Sequence, residues 1–247
     1  MKADPQVQLT LLDVQAHDLE LDRVRHRRNA LPEAARVKEI ESALRLLADR
    51  ITAANVEVSD LELEQRKADA DVDLVRQRAR KDQDLLDSGS LNDAKQLTNL
   101  QHELESLGRR QTELEDVELE IMERLEDAQR HRDGLLAEQS QLNEDLSVAV
   151  AARDAALADL AAEEQAAAAA RQASVAGVTA DLLTLYDKLR ADNGGIGAAQ
   201  LHRGRCEGCR IELTPVDIGR IREAAEDEVL RCEECRRILV RTAESGL

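Results

Sequence analysis

The sequence predicts a mainly α-helical protein, in which a long antiparallel coiled-coil hairpin precedes a small C-terminal domain. Three observations lead to this prediction: the composition, two matched heptad patterns, and four cysteines confined to the last part of the chain. Of the 247 residues, 34% are charged, three are proline, and Tyr186 is the single aromatic residue. A compact globular core of this length normally uses several aromatic side chains, whereas long helices and coiled coils are dominated by Ala, Glu, Leu and Arg.

The first arm of the hairpin is predicted to contain two helices. Helix 1 has an apolar stripe, and a break follows near residues 29–32, because Pro32 is well suited to start a helix. From residue 37 to residue 79, apolar residues recur at alternating steps of three and four, which keeps a narrow face turned towards a partner helix. The two stripes are Leu9, Leu12, Ala16 and Leu19, and then Val37, Ile40, Leu44, Leu47, Ile51, Ala54, Val58, Leu61, Ala68, Val72, Val75 and Ala79, with Gln65 as a polar interruption.

The second arm repeats this periodicity. One series of positions seven residues apart is apolar throughout, and it comprises Leu100, Leu107, Leu114, Ile121, Ala128, Leu135, Leu142, Ala149 and Ala156. The companion series is mixed, because polar residues such as Gln111 and Arg132 alternate with leucines. The contact face is therefore well defined at one heptad position and interrupted at the other.

A short break at residues 87–93 separates the two patterns. Gly89 can adopt the left-handed conformation that ends a helix, and Ser90 can cap the next helix with Asp93 in its first turn. The segments 6–86 and 91–171 are both 81 residues long. Matched arms around a glycine favour an antiparallel hairpin with its tip near residues 87–92; a parallel coiled coil between chains is the alternative. A short helix over residues 178–191 completes the predicted helical domain, residues 1–191.

Residues 192–247 are predicted to form a metal-stabilised domain. Cys206 and Cys209 form one CxxC pair, Cys232 and Cys235 form another, and 22 residues separate the pairs. Each pair lets one tight turn direct two sulfurs at one ion, and four thiolates complete the tetrahedral shell of a structural Zn²⁺. We therefore expect one zinc per chain. Two disulfides, four free thiols, or His202 as a substitute ligand are the alternatives.

The distribution of charge separates this domain from the helices. Residues 200–247 hold nine arginines and ten acidic residues, a net charge of −1, and the rest of the chain carries −16.

No phosphate loop, nucleophile elbow or paired-carboxylate motif is recognisable, so no enzyme activity and no small-molecule substrate are expected. The first residues contain no continuous apolar region of the kind a signal peptide needs, so no signal peptide is expected. No apolar stretch is long enough to span a membrane, and a cytoplasmic location is therefore expected.

The whole pattern resembles the bacterial C4-type zinc ribbon domain family, in which a coiled-coil hairpin precedes a C-terminal zinc ribbon. The resemblance rests on Tyr186-x-x-x-Arg190, the two CxxC pairs, the ending Arg237-Ile238-Leu239-Val240, and the segment 92–97 after the turn. The Ala/Arg/Asp-rich usage is similar to actinobacterial members. The resemblance implies a regulator or adaptor without catalytic residues. One departure is Arg236, which follows the last cysteine where many such ribbons have glycine.

Two classes of partner are compatible with the C-terminal domain. Arginines flank both CxxC pairs and can contact the phosphates of RNA or DNA; they are Arg203, Arg205, Arg210, Arg236, Arg237 and Arg241. No aromatic residue is present there to stack on an unpaired base. The alternative is a protein–protein adaptor that uses the ribbon and the acidic coiled-coil arm.

Overall fold

The computed structural model describes residues 1–89 and 93–247. It contains helices α1 (Pro5–Asn29), α2 (Pro32–Asp87), α3 (Ala94–Val175), α4 (Ala180–Asp192) and α5 (Pro215–Glu223), and strands β1 (Ala198–His202), β2 (Arg205–Cys206), β3 (Leu230–Arg231) and β4 (Ile238–Val240). These elements form two compact units. One unit comprises residues 1–35 and 151–247, and the other comprises residues 36–150.

In the unit of residues 36–150, α2 and α3 pack against each other along the predicted heptad stripes. Leu135 is buried against Leu47 and Ile51, and Leu125 is buried with Val58. Because the partner number on α3 falls as the number on α2 rises, the two helices are antiparallel. This confirms the antiparallel coiled-coil hairpin, and the alternative of a parallel coiled coil between chains is not needed to bury these stripes.

The segment between the two arms agrees with the predicted turn in one respect and differs in another. Gly89 has a φ of 61°, the left-handed conformation expected at the end of a helix. Ser90 lies outside the described residues. The placement of Asp93 in the first turn of α3 is wrong, because α3 begins at Ala94 and the Asp93 carboxylate accepts a hydrogen bond from the backbone N–H of Lys95 at 2.9 Å. A side chain just before the helix satisfies such otherwise unpaired N–H groups.

In the other unit, α1 and α4 pack on a four-stranded sheet with the order β2-β1-β4-β3. Strands β1 and β4 are parallel, and β2 and β3 are antiparallel to their neighbours. Leu11 and Val14 of α1, Tyr186 of α4, and Ile238 and Val240 of β4 share one core. The C-terminal sheet therefore does not bury its apolar residues alone. The domain division between residues 191 and 192 stays a prediction.

Polar side chains fix α1 against the segment that enters the sheet. Gln15 is buried, its Oε1 accepts from the N–H of Gly197 at 2.7 Å, and its Nε2 donates to the carbonyl of Gly195 at 2.9 Å. The hydroxyl of Tyr186 donates to Asp18 at 2.7 Å, and Arg171 donates to the same carboxylate at 2.7 Å. These bonds satisfy buried groups that would otherwise be costly. Tyr186 is thus a core residue.

Within the part of the chain that the structure describes, none of the helices is both long and apolar enough to cross a lipid bilayer.

Candidate metal centre

The two CxxC pairs form turns with the same hydrogen-bond pattern. In each turn, the N–H of the first cysteine donates to the carbonyl five residues later. The N–H of the residue after the second cysteine donates back to the carbonyl of the first. The bonds are Cys206 N to Ile211 O (3.1 Å), Arg210 N to Cys206 O (2.7 Å), Cys232 N to Arg237 O (3.0 Å) and Arg236 N to Cys232 O (2.9 Å). We call these turns the first and second knuckles, residues 206–211 and 232–237.

The fold brings the four sulfurs of the knuckles together. All four Sγ atoms lie within 4.8 Å of one another, with Cys206 to Cys235 at 3.9 Å and Cys209 to Cys232 at 3.8 Å. A disulfide requires about 2.05 Å, so these are free thiols. A tetrahedral ion with Zn–S bonds of about 2.3 Å separates its sulfurs by about 3.8 Å. The two distances of 3.8 and 3.9 Å therefore match those expected for a tetrahedral Zn²⁺ site.

Strands and a small apolar core hold the knuckles in place. Cys206 ends β2, Cys232 follows β3, and both are buried with Leu201, Ile221 and Leu239. His202 is not part of the sulfur cluster; its Nδ1 lies 3.3 Å from a carboxylate oxygen of Glu244. The Cys₄ set leaves no open coordination position, so it suits a structural ion and not a catalytic one.

The environments of the thiols differ. Burial raises the pKa of the Cys206 and Cys232 thiols. At Cys235 burial acts in the same direction, but hydrogen bonds from Arg237 and the neighbouring thiols outweigh it and lower the pKa to about 7. Zinc requires thiolates, so ion binding displaces protons from the buried thiols.

Arg203, Arg210 and Arg236 share an unusual backbone conformation. Their φ angles are 48°, 62° and 64°, and within residues 1–89 and 93–247 no other residue except glycine has a positive φ. All three are exposed. Arg236 stands where the family often has glycine, and it adopts the left-handed conformation that glycine would adopt without strain. Arginine in place of glycine after the last cysteine therefore leaves the turn of the second knuckle intact.

The other three predicted arginines are engaged within the fold. Arg237 donates to the backbone carbonyls of Ile196 and Asn193 at 3.0 and 2.9 Å. Arg241 donates to the carbonyls of residues 221 and 224–226, at and just beyond the C-terminal end of α5. Arg205 pairs with Glu207 at 2.8 Å. The structure thus separates the six by backbone conformation, with three in the left-handed region and three outside it. Exposure and pairing do not divide them in the same way, because Arg205 is also exposed and Arg236 also pairs, with Glu233 at 3.3 Å.

Two further cations lie beside the second knuckle that the sequence analysis did not single out. Lys188 and Arg231 line a hollow together with Cys235 and Arg236. Arg231 directly precedes Cys232, so the search for arginines flanking the knuckles could have found it. Lys188 is 47 positions before Cys235, on α4, and only the packing of α4 brings it there.

Fold and site define a class of protein: a coiled-coil hairpin that carries a Cys₄ zinc ribbon. Residues 14–194 match the family model described as the CT398-like coiled coil hairpin domain, and residues 205–239 match the C4-type zinc ribbon domain. The chain therefore belongs to the CT398-like coiled-coil hairpin family, and its ribbon is of the C4 type with one structural Zn²⁺.

Relatives match almost the full length of this chain. An uncharacterized protein of Mycobacterium tuberculosis is 39% identical over 241 residues, which is 98% of each chain. A solved structure from Mycobacterium smegmatis is 40% identical, with a TM-score of 0.84, and the match covers 98% of this chain and all of that one. The structure of CT398 from Chlamydia trachomatis is 15% identical with a TM-score of 0.68, covering 96% and 98%, and this likeness concerns the fold alone.

Proposed function

We propose that this protein is a non-enzymatic regulator or adaptor of the cytoplasm whose zinc ribbon associates with nucleic acid through Arg203, Arg210 and Arg236. The observation that carries the proposal is the shared left-handed conformation of these exposed arginines. An L-residue in this conformation costs about 1–2 kcal/mol, and such strain concentrates at functional positions. A cytoplasmic location is supported by the free thiols, which a reducing compartment preserves.

The chemistry of the arginines suits a phosphate backbone more than a particular base. Arg210 and Arg236 occupy equivalent positions in the two knuckles, so each knuckle presents one guanidinium to solvent. Guanidinium groups bind phosphate oxygens in bidentate fashion. The ribbon has no aromatic side chain for base stacking, so binding should show little sequence preference and should weaken steeply with salt.

The experiment compares the full-length zinc-loaded protein with a triple variant, Arg203→Gln, Arg210→Gln and Arg236→Gln. Binding to single-stranded RNA and DNA is measured at several salt concentrations. We expect the variant to bind more weakly and to reduce the slope of log K against log salt by about two, since each phosphate contact on a single strand contributes about 0.7. A matched control removes the same charge from exposed arginines of α2 and α3, with Arg45→Gln, Arg66→Gln and Arg109→Gln.

Measuring the zinc content of the triple variant distinguishes nucleic-acid binding by the three arginines from an electrostatic role of the same arginines at the metal centre. Four thiolates and one Zn²⁺ carry a charge of about −2, which nearby arginines offset. If the triple variant loses zinc and nucleic acid together, the arginines serve the metal centre. If the wild-type protein shows no salt-sensitive binding at low ionic strength, the nucleic-acid proposal is wrong.

A protein–protein adaptor is the second candidate, and exposed apolar side chains favour it. Ile211, the last residue of the first knuckle, has 46% of its surface exposed, and Val216 in α5 is 81% exposed. Exposed apolar groups beside charged ones are common at protein interfaces. This candidate predicts that Ile211→Ser and Val216→Ser abolish capture of a partner from nuclease-treated lysate while zinc is retained.

A further inference from the structure

The structure contains a cationic hollow beside the second knuckle, and neither family description assigns it a role. The hollow has a volume of about 420 Å³ and lies against Cys235. Lys188 of α4, Arg231 of β3 and Arg236 of the second knuckle all line it. Two segments that are distant in sequence, α4 and residues 231–236, therefore bring three positive charges to one concave surface. A volume of this size is within the range of about 300–1,000 Å³ typical of pockets that bind small ligands.

Two of these cations retain free hydrogen-bond donors. Lys188 is exposed, and among the described residues its ammonium group makes no ion pair. Arg231 uses Nε to donate to the carbonyl of Arg236 at 2.8 Å, and no partner is present for its two Nη groups within residues 1–89 and 93–247. That bond ties Arg231 to the turn of the second knuckle, so its position is fixed by the metal-binding loop. Fixed donors lose less conformational entropy when they bind an anion.

Two carboxylates limit the positive charge of this hollow. Asp192, the last residue of α4, is the acidic side chain among those lining it. Glu233 lies 3.3 Å from Arg236 and 2.6 Å from Arg220. The lining side chains still carry three positive charges against one negative charge. In the zinc-loaded protein the adjacent Cys₄ centre adds a charge of about −2, so a phosphodiester would be held by direct hydrogen bonds from the lining cations and not by the net charge of the hollow.

We propose that this hollow binds a phosphate group of the nucleic-acid backbone, with Lys188 and Arg231 as its ligands and Arg236 shared with the rest of the interface. The inference rests on the proposed function and extends it to two residues that the knuckles alone do not supply. Leu185 and Leu189 of α4 form an apolar side of the hollow, where the sugar next to the phosphate can lie. The interface would then run from the knuckles onto α4.

The main test is Lys188→Gln in the full-length zinc-loaded protein, because Lys188 is exposed and makes no ion pair within the described part of the chain. Affinity for single-stranded RNA should fall about two- to fivefold, and the salt slope should fall by about 0.7. The double variant Lys188→Gln with Arg231→Gln should lose more, with zinc content measured because Arg231 bonds to the second knuckle. Arg222→Gln is the control, since Arg222 is an exposed arginine of α5 that does not line the hollow.

A change of opposite sign gives a second test. Asp192→Asn removes the carboxylate from the hollow and should raise affinity about twofold, whereas Asp181→Asn should leave it unchanged. Asp181 is exposed at the start of the same helix, so the two variants change the net charge of α4 equally. Equal effects of both variants would show that the total charge alone matters and would overturn the proposed hollow.

A parallel titration with inorganic pyrophosphate tests whether the hollow binds a free phosphate compound or the phosphate of a nucleic-acid backbone. Binding is monitored through the NMR signals of the Lys188 ammonium and the Arg231 guanidinium. Pyrophosphate binding without RNA binding would support the hollow and contradict the proposed nucleic-acid function. Binding of RNA that is insensitive to Lys188→Gln would support that function and contradict the hollow. Perturbation of neither signal by either ligand would overturn the hollow directly.

Discussion

Arg210 shows at the scale of one residue how stability and binding can oppose each other. Its left-handed conformation strains the folded state, and glycine at this position would relieve the strain at the cost of a more flexible unfolded chain. We expect Arg210→Gly to stabilise the zinc-loaded ribbon by about 0.5–1 kcal/mol. The same change should weaken RNA binding. Thermal unfolding and a binding titration on the same preparation measure both effects.

The matched control for Arg210→Gly is Arg222→Gly. Arg222 is helical, so glycine there relieves no strain and should destabilise α5 by about 1 kcal/mol. A loss of stability in Arg210→Gly would contradict the idea that strain is stored at the knuckle.

The thiols predict how zinc binding depends on pH. Burial raises the pKa of Cys206 and Cys232, so both are protonated near neutral pH in the metal-free protein and must release their protons to zinc. The zinc affinity should therefore increase with pH and should fall as the solution is acidified. We expect about two to four protons to be released per zinc near pH 7. Calorimetry in buffers of different ionisation enthalpy counts these protons, and release of fewer than two would contradict the prediction.

At the scale of elements, the pairing of α2 with α3 depends on a few well-buried leucines. Leu135 is 3% exposed and contacts Leu47, Ile51 and Ala54. Leu135→Ala should lower the free energy of unfolding by about 2–5 kcal/mol, because it removes buried methyl groups and leaves a cavity. Leu136→Ala is the matched control: Leu136 is 41% exposed, and its truncation should cost less than about 0.5 kcal/mol. Equal effects in denaturant unfolding would contradict the assigned contact face.

Periodicity and spacing predicted the parts of this fold that depend on local repetition. The stripe that includes Leu47 and Ile51 lies where the heptad places it, and the CxxC spacing predicted the sulfur cluster. Contacts set by packing between distant segments could not be predicted. Gln15 bonds to Gly197 across 182 positions, and no repeat or motif in the sequence marks that pair. Likewise, Arg236 and Arg237 both come directly after the last cysteine, but only the fold directs the guanidinium of Arg237 to the carbonyl of Asn193.

At the scale of the whole molecule, the shared core predicts how far the loss of zinc will spread. Ile238 and Val240 follow the second knuckle on β4 and pack against Leu11, Val14 and Tyr186. Without zinc the knuckles lose their common anchor, and α1 and α4 then lose the sheet on which they pack. A fragment restricted to residues 192–247 would also lack these helices, so the full chain is the appropriate material.

We therefore expect chelation of zinc, or Cys209→Ser, to increase hydrogen exchange in two regions: residues 198–240 and the amides of α1 and α4 that face the sheet. The contacts of Leu125 and Leu135 with α2 contain no residue of the ribbon, so amides around them should keep their protection. Far-ultraviolet circular dichroism should accordingly retain most of its helical signal. Glu207→Gln is the control in the first knuckle: Glu207 lies between the two cysteines without being a ligand, so this variant should keep its zinc and its exchange pattern. Exchange that stays unchanged in α1 and α4 after zinc removal would show that the helices hold their positions without the sheet, contrary to the shared core.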